Sequence, residues 1–319
     1  MTAAPVQLAE AGGGPSDAGA PVRSRRRTGK GRRRSSRMAY LLLTPGLLWL
    51  ALFFVVPMLF LLSQSLQTGS VEQGYRLTFR LATYTDALST FSPQFIRSFV
   101  YAFLATLLAL LIGYPLAYAI AIKAGRWKSL LLVMVIAPFF TSFLIRTLAW
   151  QTILATDGPV TGFFRVTHLL SITSGLGWTN GDQLLSSPLA VVAGLTYNFL
   201  PFMTLPLFAS LDRLDPRLLE ASGDLYASPA ETFRRVTLPI SMPGVVAGTL
   251  LTFIPAAGDY INSKLLGNPN TTMIGQVIDG QFLRVLDYPT AAALSFTLMV
   301  TIVVIVAIYV RRAGTEELL

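Results

Sequence analysis

The sequence predicts an all-α integral membrane protein with six transmembrane helices, and three observations carry that prediction. Of its 319 residues 53% are hydrophobic and only 13% charged, and the mean hydropathy is +0.58, more apolar surface than a soluble fold of this size can hide. Six apolar stretches approach or exceed the roughly 20 helical residues that cross a bilayer. Basic residues gather near alternate span ends, the bias of cytoplasmic loops.

Taken in order, residues 1–37 read as a basic, disordered cytoplasmic tail, because Ala, Gly, Pro, Ser and Arg dominate and little there can pack. Its run Arg23, Arg25, Arg26, Arg27, Lys30, Arg32, Arg33, Arg34 and Arg37 stands directly before an apolar span. That placement suits anionic lipid headgroups and gives no reason to invoke nucleic acid. Residues 38–319 form the transmembrane domain. Its predicted spans are 40–66, 99–122, 129–154, 189–211, 243–258 and 291–310. The first is about twice as long as the apolar region of a signal peptide and is read as uncleaved. The fifth is the shortest and is interrupted by Pro255. Pro45, Pro57, Pro115, Pro138, Pro201 and Pro206 also lie in or at the edge of spans, where neighbouring helices can satisfy the freed carbonyls.

Six spans place both termini on one side. The tail, then Lys123, Arg126 and Lys128, then Arg213, Arg217, Arg234 and Arg235, and finally Arg311 and Arg312 all fall on that side, which is therefore cytoplasmic. The sequence contains no cysteine and one histidine, His168, which excludes thiolate metal sites, thiol nucleophiles and a histidine metal cluster. It carries no Gly-x-x-x-x-Gly-Lys-Ser/Thr phosphate loop, so nothing points to catalysis.

The informative segment lies between the fourth and fifth spans, at about 212–242. Asp215-Pro216 supplies a cap and a first-turn proline for a short helix striped with Leu218, Leu219 and Leu225. Ser228-Pro229 opens a second short helix, expected to end before Pro239. A polar helix-turn-helix tethered between two spans fits either a groove on another protein or the headgroup surface.

The segment resembles the EAA loop of binding-protein-dependent ABC importer permeases: Glu-Ala-Ala, three residues, Gly, nine residues, Ile, one residue, Leu-Pro. Glu220, Ala221, Ser222, Val236, Leu238 and Pro239 stand at that spacing, and Tyr226 occupies the position of the family's glycine. Resemblance to the spermidine/putrescine branch extends over most of the chain from about Met38 to Val310. Leu144-Ile145-Arg146-Thr147-Leu148-Ala149-Trp150, Tyr197-Asn198-Phe199-Leu200-Pro201 and Ile254-Pro255-Ala256-Ala257-Gly258-Asp259-Tyr260 carry it. The resemblance implies a type I ABC importer permease fold in a bacterial inner membrane. It implies import by alternating access with two ATPase subunits, a second homologous permease and an extracytoplasmic substrate-binding protein. ATP is then used by the partner subunit, with no cofactor on this chain. Glu220, Ala221, Ser222, Tyr226, Leu238 and Pro239 would form the surface that couples to the ATPase.

Arg146, Asn198 and Asp259 are the candidate pathway residues, since ionisable and amide groups at membrane depth tend to face a bundle interior or water. Asp259 suits a cationic substrate, because a carboxylate offsets an ammonium and accepts its hydrogen bonds. Each has a structural alternative: outward snorkelling or pairing for Arg146, interhelical bonding for Asn198, a helix-end position for Asp259. Other readings remain open at this point. They are an importer of the same class for ferric iron, thiamine or an opine, an ion-coupled secondary carrier, and a membrane scaffold whose basic tail is the functional part.

Overall fold

A computed structural model describes residues 32–313, with side chains from 41 to 312. Residues 1–31 of the predicted tail lie outside the described residues, and helix α1 (Arg32–Leu50) takes in 32–37. The chain divides into two compact units, one ending at Val56 and the other beginning at Pro57.

In the first unit α1 runs through a π-helical turn, Ala51–Val55. Leu42, Trp49 and Phe54 are 76%, 63% and 64% exposed, so the helix is apolar where it is uncovered, as a segment in lipid is. With α2 (Val56–Ser65) it makes a span covering Leu41–Ser65.

The second unit adds a feature the all-α prediction lacks, an antiparallel hairpin of β1 (Gln67–Ser70) and β2 (Gly74–Leu77) with Gln67 opposite Leu77. The Tyr75 hydroxyl, on β2, donates to the Leu286 carbonyl at 2.5 Å. Helix α3 (Ala82–Tyr118) continues through a π turn, Ala119–Lys123, and the 42-residue span Ala82–Lys123 starts well before the predicted residue 99. At 1.5 Å per residue it is about 63 Å long, roughly twice the hydrocarbon thickness, so its polar first turns lie beyond the bilayer.

The third predicted span is broken. Gly125–Trp127 and Ala137–Phe140 are 3₁₀ turns flanking α4 (Lys128–Ile136), and α5 (Phe143–Leu154) follows. Segments Gly125–Phe140 and Phe143–Val166 meet at 94°. Thr141 and Ser142 adopt ψ of 147° and 136°, outside the helical range, just after Pro138 has removed a donor. Among the described residues five helices are long and apolar enough to cross a membrane, and this bent pair, counted as one crossing, brings the number to the predicted six.

Short helices α6 (Pro159–Val166) and α7 (Leu169–Gly175) connect to α8 (Pro188–Leu211), which Ser187 caps by accepting from the Ala190 N–H at 3.2 Å. Helix α8 is the centre of the unit: Leu195, Met203, Leu207 and Leu211 are fully buried, packed mainly against α3 and the later α11. Helices α9 (Pro216–Asp224) and α10 (Pro229–Thr232) form the loop after it. The predicted stop before Pro239 does not occur. Instead α10 passes through a π turn, Phe233–Thr237, into α11 (Leu238–Ala257), one helical span of 29 residues, Pro229–Ala257. The widened turn accommodates Pro239 at the first positions of α11 without breaking the helix. Beyond it lie α12 (Ile261–Leu266), α13 (Ile274–Gly280) and the last span, α14 (Tyr288–Ala313).

Small residues let α11 approach α8 closely. Gly244 and Gly248 of α11, four apart on one face, meet α8. A Cβ at Gly244 would lie 2.6 Å from the Pro206 carbonyl oxygen, and one at Gly248 would lie 3.0 Å from that of Met203.

Candidate functional site: an exposed helical loop and a buried polar layer

The loop is organised by its own side chains. The Asp215 carboxylate accepts from the Arg217 N–H at 3.0 Å, and the Ser228 hydroxyl accepts from the Glu231 N–H at 3.3 Å, so both sequence-predicted caps form. Ser222 is buried; its hydroxyl donates to the Leu219 carbonyl at 2.7 Å and lies 2.9 Å from Thr232 Oγ1, tying α9 to α10. The predicted leucine stripe splits: Leu219 is half-buried, whereas Leu218 is 46% and Leu225 81% exposed. Glu220, Ala221 and Pro239 are also exposed, and Leu238 is half-buried. Tyr226 sits between the two helices at φ 59° and is 98% exposed. Left-handed backbone costs a residue with a Cβ about 1–2 kcal/mol. The turn that glycine would ease is thus kept, with tyrosine bearing the strain. The loop is fastened to the bundle where Phe233 meets Tyr114 edge to face at 5.5 Å, and where Lys128 pairs with Asp212.

A second polar site lies within the bundle. Asn198 of α8, 1% exposed, donates from Nδ2 to Thr147 Oγ1 of α5 at 3.3 Å and to Asn262 Oδ1 of α12 at 3.0 Å. Asn262 in turn donates its backbone N–H to Asp259 Oδ1 at 2.8 Å. Asn198 and Asp259 are therefore joined through Asn262, which sequence reasoning missed because an uncharged amide outside the predicted spans does not stand out as a carboxylate does. Its position three residues after Asp259, the spacing of a capping bond, is the signal that was available. Asp259, 8% exposed, holds the start of α12; Gly194 lets α12 approach α8, since a Cβ there would lie 2.8 Å from Asn262 Oδ1. Asn198 Oδ1 and Asn262 Nδ2 are buried and have no partner within the described residues.

Arg146 does not join this network. It stands at the broken span, its guanidinium 5.2 Å from the Phe139 ring and 5.7 Å from that of Phe143, one aromatic on each side of the break. Its Nε and Nη1 are buried, and neither has a hydrogen-bond partner among the described residues. Stacking on both rings replaces the outward snorkelling foreseen as its structural alternative. No group of three or more His, Cys, Asp or Glu that could hold a metal occurs among the described residues.

Helices long and apolar enough for up to six crossings, small-residue contacts around a central helix, a buried amide layer and a structured polar loop between two spans describe a polytopic helical membrane protein. Residues 113–313 match the family described as binding-protein-dependent transport system inner membrane component. The chain belongs to that family and is a multi-pass inner-membrane transport subunit. It is 36% identical over 266 residues, 83% of its length and 94% of the relative's, to the spermidine/putrescine transport system permease protein PotB of Escherichia coli K12. It is 34% identical over 264 residues to the protein of that name from Haemophilus influenzae, covering 82% of this chain and 90% of the relative. The fold matches a chain of a bacterial alginate ABC transporter, solved with a pentasaccharide-bound periplasmic protein, at TM-score 0.63 and 19% identity over 90% of this chain and 97% of that one.

Proposed function

We propose that this chain is the membrane-spanning permease subunit of an ATP-driven polyamine importer that works by alternating access. The observation that carries the reading is the 36% identity, sustained over 83% of the chain, with a spermidine/putrescine permease. Both termini lie in the cytoplasm, in keeping with the basic residues at alternate span ends. The complex contains a second, homologous permease, two ATPase subunits that bind the ATP, and an extracytoplasmic binding protein. The alginate transporter solved with its periplasmic protein supports the last of these.

In this reading Glu220, Ala221, Tyr226, Leu238 and Pro239 belong to the surface that meets the ATPase, and the buried Ser222 holds α9 to α10 beneath it. ATP binding closes the ATPase dimer, draws the α9–α10 loop inward and favours the outward-open pathway; hydrolysis resets it. Asp259, at the far end of the helix that starts in the loop, offers the carboxylate for an ammonium group, while Asn198 and Arg146 shape the packing around the pathway.

The test is ligand-stimulated ATPase activity of the reconstituted complex with its binding protein, comparing putrescine, spermidine, ferric iron and thiamine. Polyamines should stimulate. Asp259→Asn keeps an acceptor for the Asn262 N–H but loses the charge, so it should raise the half-stimulating polyamine concentration about tenfold with protein levels unchanged. Stimulation by iron or thiamine instead would replace the cargo but keep the importer, and uptake that proceeds without ATP would overturn the importer.

A further inference from the structure

The α9–α10 loop carries an apolar face that nothing within the described residues covers. Leu218 and Ala221, three apart on one side of α9, and Leu225, which caps its C-terminal end, are all exposed. Tyr226 extends this face with its whole side chain in the open, at 98% exposure. Its backbone is held in the left-handed region at φ 59°, where glycine would sit without strain. The loop is internally bonded, by two caps and the Ser222–Thr232 contact, so the ring is presented from a fixed base. A large aromatic kept in a strained turn, uncovered and rigidly based, has the features of an interface anchor.

Charge decides between the two surfaces such an anchor could enter. Glu220 and Asp224 are exposed on the same short helix as Leu218 against one exposed arginine, Arg217, so its net charge is negative, and Asp224 immediately precedes the Leu225-Tyr226 pair. An anionic lipid surface repels both carboxylates. A protein pocket with an apolar floor and a basic rim accepts the ring and the carboxylates together.

We propose that Tyr226 is the anchor residue of the loop, inserting into an apolar, basic-rimmed pocket of the ATPase subunit and setting which ATPase this permease accepts. The inference rests on the reading of the loop as the ATPase-docking surface and adds to it a residue and a pocket chemistry.

Because the chain has no cysteine, single thiols can be introduced without background. In the full complex, Leu218→Cys is labelled with a maleimide with the ATPase subunit present and after it has been stripped away. Retention of the ATPase on the purified permease is then compared for the native chain, Tyr226→Gly and Tyr226→Phe. The expected result is protection of the Leu218→Cys thiol by the ATPase, retention about tenfold weaker in Tyr226→Gly, and near-native retention in Tyr226→Phe, which keeps both ring and strain. Protection at position 218 with unchanged retention in Tyr226→Gly overturns the anchor and leaves the docking loop standing. No protection at position 218 overturns both. Stripped permease supplies the remaining arm: protection of Leu218→Cys by phosphatidylglycerol vesicles, equal to that by the ATPase, overturns the proposal in favour of lipid.

Discussion

Gly244→Leu should remove most of the folded protein from the membrane fraction and lower the melting temperature of what remains in detergent. The Cβ it introduces would lie 2.6 Å from the Pro206 carbonyl oxygen and 2.6 Å from Ser210 Oγ. The serine can rotate away, but the carbonyl belongs to the backbone of α8, the most enclosed helix of the second unit. Relief therefore requires α8 and α11 to separate, which forfeits close packing along the whole contact, at a cost of about 3 kcal/mol or more. Gly46→Leu is the control, because a Cβ there meets nothing within 4 Å. Equal melting temperatures for the two variants would mean that the α8–α11 contact does not limit stability.

The amide layer gives the second large effect. Asn198→Ala should destabilise by about 1–3 kcal/mol, since it deprives Asn262 Oδ1 of its donor in a place water does not reach. Asn262→Ala should do similar damage, and the two losses should not add. Either single variant already breaks the Asn198–Asn262 bond, leaving Asn198 only its contact with Thr147, so a double-mutant cycle read by thermal or denaturant unfolding should return a coupling of about 1 kcal/mol. A coupling below about 0.5 kcal/mol would mean that the Asn198–Asn262 bond contributes little and that each residue acts through its shape.

What the sequence made legible was local or periodic. Asp215-Pro216 and Ser228-Pro229 announced their helices because a cap and a first-turn proline act within three residues, and both caps form. Long apolar runs located the spans because hydrophobicity along the chain is what the bilayer selects. The misses share a different cause. The first turns of α3 hold Thr83, Asp86, Ser89 and Arg97, which read as loop on a hydropathy scale although nothing in them opposes a helix. The hairpin at 67–77 has no apolar alternation to signal strands; one of its anchors is a hydrogen bond from Tyr75 to Leu286, 211 residues away in sequence. Pro138 was visible, but the size of the bend depends on Thr141 and Ser142 adopting extended torsions, which no propensity dictates. Of the candidate site, the loop was legible as a spacing pattern and the polar layer only in part. Asn198 and Asp259 stood out by composition; the capping spacing hints at the Asp259–Asn262 bond, whereas the bond from Asn198 to Asn262 becomes visible only when α12 is placed against α8.

The continuity of Pro229–Ala257 has a mechanical consequence. Twenty-nine residues at 1.5 Å each make a rod of about 43 Å, begun outside the bilayer in the loop and ended two residues before Asp259. Gly244 and Gly248 press it against α8 near its middle, so that contact acts as a fulcrum. In the proposed cycle a shift of the α10 end passes through this contact, where Pro243 beside Gly244 gives the helix a place to bend, and reaches the Asp259–Asn262 bond at the edge of the amide layer.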